Sequence, residues 1–163
     1  MTRDEVDAYL AEPGRLVRIG TVGEVGSLVV PAWFIVEDGV FYVTPRDRSA
    51  WLANVRRDPR VCFTVDGDGR QVVIRGTVRV VHDVGTDDAW RDRYRRITMR
   101  YVPEEWGDAY LKDTWDEPRA LLALPLADAR ITTWRFPLRE GEDWLDVWAP
   151  RYYHDGHPRA RQE

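Results

Sequence analysis

Hydrophobic and polar positions change period several times along the chain, and each change marks an element. Between Thr2 and Glu12, Val6, Tyr9 and Leu10 share one helical face, Thr2 and Glu5 have capping-box spacing, and Pro13-Gly14 ends the helix. Leu16 to Val22 reads as a strand, with Gly23 to Gly26 as the turn that follows it. The apolar run from Ser27 to Val36 is a second strand. Pro31 inside it cannot donate to a ladder, which puts it at a sheet edge or a bulge. After the turn Glu37-Asp38-Gly39, Val40 to Thr44 completes a three-stranded meander. A helix opens at Ser49 with Trp51, Leu52 and Val55 at core-facing spacing, and Asp58-Pro59 closes it.

Arg60 to Asp66 alternates, Val61, Phe63 and Val65 on one face and Cys62 and Thr64 on the other. Asp66-Gly67-Asp68-Gly69 is a hairpin turn, and Arg70 to Val81 is a long strand with Gly76 marking a bulge or bend. Thr86 caps a helix to about Tyr101, with Trp90, Tyr94 and Ile97 on its apolar side; Pro103 to Trp115 is a second, weaker one. Strands follow at Ala120 to Pro125 and Ile131 to Phe136. There is no internal repeat, low-complexity segment or linker. Six or seven antiparallel strands with helices at the start, in the middle connection and late define an α+β, mainly β chain built on a small barrel. Residues 1–150 are expected to form one domain and 151–163 a flexible tail.

Composition narrows the function classes. A net charge of −4 with a pI near 5.5 opposes general nucleic-acid binding, where a basic face dominates affinity. Mean hydropathy is −0.50 and no apolar run approaches the roughly 20 residues that span a bilayer. The charged N-terminus has no signal-peptide core, so a cytoplasmic location is expected. The lone Cys62 excludes an internal disulfide and a cysteine-based zinc site. Lys112 is the only lysine, so any bound anion is held by arginine. The eight tryptophans serve either to fill a core or subunit interface or to stack on a ligand.

The candidate chemistry gathers between Ser27 and Arg60. There a strand end, the loop Pro45-Arg46-Asp47-Arg48 and a helix N-terminus at Ser49 meet, and that meeting makes an anion pocket. Arg46, Arg48 and Ser49 then hold a phosphate; the competing reading is a solvated loop with Ser49 as an ordinary cap. Arg56, Arg57 and Arg60 read as a solvated face, and Asp66 and Asp68 as turn formers rather than metal ligands. His82, His154 and His157 leave an axial haem ligand conceivable, with solvated histidines as the plainer reading. No Ser/His/Asp set is separated out by spacing, no metal site is indicated, and Cys62 reads as a packed small residue. No catalytic acid or base can be named.

The ordered series GVFYVT, SAWLANVRRDPRV, a DGDG turn and VVIRGTVRVV resembles the pyridoxamine 5′-phosphate oxidase-like split β-barrel superfamily, in the branch that binds FMN or the deazaflavin coenzyme F420. The likeness covers about Val6 to Val81 and returns at Ala120 to Trp134. It implies a six-stranded antiparallel split β-barrel with peripheral helices, a homodimer, and two cofactors in grooves between subunits. By position, it implies Val30, Pro31 and Trp33 along the flavin ring and ribityl chain, and Thr44, Arg48 and Ser49 at the phosphate, with Arg46 left beside them to neutralise it. Gln71 falls where relatives contact the ring from the partner subunit, and Trp134 near the residues that close the pocket. Relatives carry lysine at the place of Trp51 and a basic residue at Ala50 or Ala53. Trp51 is therefore either a core anchor or a side chain filling the lysine's place. Basic residues for a substrate phosphate are missing near Leu28 and at Trp33, which argues against pyridoxamine phosphate.

The expectation is thus an oxidoreductase using FMN, or alternatively F420, that transfers hydride to or from a small, flat or apolar molecule. The alternative is a split-barrel protein that binds a flavin or other small ligand without turnover. Neither reading involves nucleic acid or a membrane.

Overall fold

In the computed structural model, which describes residues 1–143, Val147 and His157, the alternating segments pair into two antiparallel sheets. His154 and the rest of the expected tail, His157 apart, lie outside the described residues. Helix α1 (Arg3–Ala11) starts at the predicted capping box of Thr2 and Glu5. Strands β1 (Val17–Gly23) and β2 (Gly26–Ala32) form a hairpin, followed by β3 (Ile35–Glu37), β4 (Val40–Val43), helix α2 (Ala50–Arg57) and strands β5 (Arg60–Gly67), β6 (Arg70–Thr77) and β7 (Arg79–His82). Helices α3 (Trp90–Tyr101) and α4 (Glu104–Thr114) lie between β7 and β8 (Leu121–Pro125); a short 3-10 turn leads to β9 (Arg130–Arg135). One sheet runs β2-β1-β5-β6-β9 and the other β3-β4-β8-β7.

The α+β, mainly β split-barrel expectation holds, with a different count: nine strands in two sheets rather than six, and no single closed barrel among the described residues. Two of the long predicted strands each break where the chain crosses between sheets. The run from Ser27 to Val36 crosses at Trp33-Phe34, and Phe34 is fully buried at the corner. Arg70 to Val81 crosses at Val78, also buried, whose N–H donates to the Pro59 carbonyl at 3.0 Å. Both corners are apolar, so hydropathy runs through them without a mark. Pro31 does sit on an edge strand, where its missing N–H costs no ladder bond.

Ile19, Phe63, Val72 and Ile74 of the first sheet meet Phe41, Leu122 and Leu124 of the second in one core. Phe41 joins the layers, stacked on Phe34 at 4.4 Å and tilted against Phe63 at 5.0 Å. Gly76 is explained by close approach: a Cβ there would lie 2.8 Å from Leu124 Cδ1 and 3.4 Å from Ala129 Cβ. Gly76→Ala requires the buried Leu124 side chain to shift and crowds Ala129. It is expected to lower unfolding free energy by about 1–3 kcal/mol, read by urea titration.

The α3–α4 hairpin is tied to the second sheet by charge. Glu37 on β3 accepts from Arg93 Nε at 3.0 Å and Arg96 Nε at 2.7 Å, and Arg93 lies 3.7 Å over the Tyr42 ring. This seats the hairpin beside the ends of β2 and β4.

Candidate functional site

The chain leaves β4 at Thr44 and runs antiparallel to the segment leading into β8. Asp47 N–H donates to the Pro118 carbonyl at 2.9 Å, and Ala120 N–H donates to the Pro45 carbonyl at 3.1 Å. This pairing, with a bridge between Arg46 and Arg119, brings two arginines distant in sequence to one place. The loop turns through Ser49 N–H to the Arg46 carbonyl at 2.9 Å and enters α2. Ser49 is the N-cap of α2, but its hydroxyl caps no backbone N–H of the helix. Leu52 and Val55 fix α2 on the core, and Trp51 packs partly against it.

A cavity of about 250 Å³ opens at this corner. Six of the ten predicted contacts line it: Pro31, Trp33, Thr44, Arg46, Ser49 and Trp51. The hairpin adds Tyr94, Ile97 and Tyr110, and the β8 approach adds Arg119. Trp33 stacks on Tyr101 with centroids 5.1 Å apart and planes at 5°, and it tilts against Tyr110 at 5.3 Å. Tyr101 is anchored in turn: it donates to the Arg15 carbonyl and accepts from Phe34 N–H at 3.2 Å. Burial pushes the Tyr101 phenol up. Burial, then the neighbouring Tyr94 hydroxyl, push Tyr110 up as well, so both stay protonated at neutral pH.

The other four predicted residues lie elsewhere. Val30 packs against the core from β2. Arg48 is exposed, 77% for its side chain, and turns to Glu117 rather than lining the cavity. Gln71 and Trp134 face each other across β6 and β9, and Trp134 Nε1 donates to Gln71 Oε1 at 3.0 Å. With Val72 and Ile74 buried, strand alternation places Gln71 and Trp134 on the outer face of the five-stranded sheet. That position is separate from the cavity within one chain.

Arg119 is the residue that sequence reasoning missed. It is 6% exposed, donates to the Thr44 carbonyl at 3.1 Å and Tyr94 Oη at 3.1 Å, and lies 4.1 Å over the Tyr94 ring. Its Nε is buried with no hydrogen-bond partner. With Arg46, Arg119 puts two guanidiniums in the cavity wall, so the cavity suits an anion. Burial lowers the Arg119 pKa, as expected for a cation removed from water. The only sequence signal was an arginine abutting the apolar run of β8.

Glu117 gathers the cations. Its carboxylate accepts from Arg46 Nε at 2.5 Å, Arg48 Nη2 at 2.9 Å and Arg119 Nη2 at 3.0 Å. Burial pushes the Glu117 pKa up, but the Arg46 hydrogen bond and the charges of Arg46, Arg119 and Arg48 outweigh it and hold it below the usual value. A lowered folded pKa stabilises the protein above the unfolded value near 4.5, and that contribution is lost as pH falls through the folded value. Glu117→Gln should therefore be less stable than wild type at pH 7, with the gap closing as pH falls below about 4.5. Urea titrations at stepped pH read this directly.

The predicted basic face of Arg56, Arg57 and Arg60 is exposed and answered by Asp83, Glu24 and Asp58. His82 pairs with Asp87 at 3.0 Å. No group of three or more His, Cys, Asp or Glu is arranged to hold a metal among the described residues. No helix among them is long and apolar enough to cross a membrane.

Fold and cavity define a two-sheet split barrel with a cationic, aromatic-walled corner. The sequence profile of the family described as pyridoxamine 5′-phosphate oxidase matches residues 2–133, and the chain belongs to that split-barrel superfamily. Comparison with curated proteins gave no match. Among solved structures, the conserved hypothetical protein Rv2991 of Mycobacterium tuberculosis superposes with a TM-score of 0.63 at 21% identity, over 88% of this chain and 94% of that one. The flavocytochrome Anf3 of Azotobacter vinelandii gives 0.61 at 18% identity, over 86% and 71%. An F420 reductase gives 0.51 at 21%, over 76% and 90%.

Proposed function

We propose that this chain is a single-domain cytoplasmic oxidoreductase that binds FMN at the corner between β2, β4 and α2 and acts as a homodimer on a small, flat or apolar substrate. The observation that carries this reading is the pair of guanidiniums, buried Arg119 and Arg46, in the wall of a cavity that Trp33, Trp51 and Tyr110 also line. A phosphate tail suits the guanidiniums and a planar ring the aromatic side chains. Family membership and the flavocytochrome and F420 reductase folds support a flavin-type ligand. F420 is the alternative cofactor.

When bound, the cofactor supplies hydride acceptance and donation. The chain's part is binding, orientation and exclusion of water. Arg119 and Arg46 hold the phosphate, Thr44 and Ser49 offer hydroxyls to it, and Trp33 presents an aromatic face braced by Tyr101. Gln71 and Trp134 sit on an outer sheet face that also exposes Val22 and Val29, at 53% and 62%. A concavity of about 750 Å³ lies along that face, floored by Gly20 and Cys62. A second copy covering it would bring the partner's sheet, with its own Gln71 and Trp134, toward the ring, and sedimentation velocity should give the dimer mass.

A second reading, ligand carriage without turnover, draws support from the cavity walls. They include no carboxylate, histidine or lysine among the described residues, and the Tyr110 phenol is held protonated. Mass spectrometry of small molecules that copurify with the native protein tests the proposal. A flavin or deazaflavin supports it. An unrelated ligand contradicts it. Flavin binding without reductase or oxidase activity across a broad substrate panel favours the carrier.

A further inference from the structure

The arginine cluster holds more cation than its own carboxylate neutralises. Arg46, Arg48 and Arg119 converge on the single side chain of Glu117, all within 3.0 Å. Three guanidiniums against one carboxylate leave a net local charge of +2, while Arg119 Nε stays without an acceptor. Glu117 also stands at a partition. Arg119 lines the aromatic-walled cavity on one side and a second cavity of about 320 Å³ on the other, and Glu117 lines only the second. In that second cavity Arg91 is already answered by Asp88 at 2.8 Å and Asp116 at 3.9 Å, so the three arginines at Glu117 are its own cations.

From this geometry we infer that the Glu117 carboxylate is a resident counter-anion: it occupies the arginine cluster in the empty site, competes with an incoming phosphate for it, and so holds down the affinity for phosphate-bearing ligands relative to neutral ones. A phosphate dianion takes guanidiniums that Glu117 must then give up, whereas a neutral ligand disturbs none of these pairs. Glu117 is thus a specificity-determining residue, and no covalent step is involved. The inference rests on the flavin reading and deepens it in naming what competes with the phosphate, yet its test is separate.

The probes are FMN, riboflavin and inorganic phosphate, titrated into full-length wild type and Glu117→Gln at low salt by calorimetry and flavin fluorescence. The variant is expected to bind FMN and inorganic phosphate at least about tenfold more tightly, since a negative charge a few ångströms from the incoming phosphate is gone. Riboflavin affinity should stay unchanged. The ligand-free variant melts lower, and phosphate raises its melting temperature more than that of wild type. Should Glu117→Gln fail to fold, Glu117→Asp, with a shorter reach to Arg46, is expected to show the same ordering at smaller size. Unchanged or weaker phosphate binding overturns the inference while FMN binding to wild type leaves the flavin reading standing. Equal tightening of riboflavin also overturns it, as a repacking effect. Tighter phosphate binding with no flavin binding in either protein upholds Glu117's role and sinks the flavin reading instead.

Discussion

Arg119→Ala weakens FMN binding by about 100-fold, while riboflavin binding changes little. A hydrogen bond to a charged group contributes about 1.5–3 kcal/mol, and Arg119 combines such bonds with a charge buried next to the cavity. Its guanidinium is held on one side by the Thr44 carbonyl and Tyr94 Oη, so it meets a ligand preorganised and without rotamer cost. Arg119→Lys keeps the charge but loses the planar fork that serves Thr44, Tyr94 and Glu117 together, so it recovers only part of the affinity. The FMN-to-riboflavin affinity ratio is the reading that matters, because general loosening of the corner would weaken both ligands alike. A ratio unchanged from wild type would mean that Arg119 is a structural pin.

Trp33→Ala costs about 2–4 kcal/mol of stability, concentrated in the helical hairpin. The indole is where the chain crosses from the first sheet to the second, and it is clasped by Tyr101 of α3 and Tyr110 of α4. Without it those rings lose a stacking partner, and the hairpin is left with polar ties: Arg93 and Arg96 to Glu37, Tyr101 to Arg15 and Phe34, and Arg119 to Tyr94. Hydrogen exchange should then quicken across residues 90–114 while β1, β5 and β6 keep their protection. Trp33→Phe, which retains a stacked ring, should restore most of it. Uniform loss of protection over the whole chain would contradict this placement of Trp33.

The elements with strong local signals are those that sequence pattern located well. Helix α1 has its capping box, β5 alternates cleanly through Val61, Phe63 and Val65, and the turn 66–69 carries two glycines. The crossings at Phe34 and Val78 left no mark, because a buried corner is as apolar as the strand entering it. The site divides the same way. The corner from Thr44 to Ser49 was legible as a strand end, a cationic loop and a helix start in sequence. Arg119 and Glu117 were not, because they reach that corner only through pairing of residues 45–47 with 118–120. Trp51 stands where the resemblance implies a lysine, and one cation of that corner, Arg119, arrives from the far side of the inserted hairpin. Periodicity has no means of showing this.

The most direct test of the central claim is a titration of the purified full-length protein with FMN and, separately, F420, following bound cofactor by fluorescence and the mass of the native complex. Saturable binding below about 100 μM, at one cofactor per chain in a dimer and lost with Arg119→Ala, is the predicted result. Failure of both cofactors to bind at that concentration would contradict it, and the cationic corner would then have to serve some other anion.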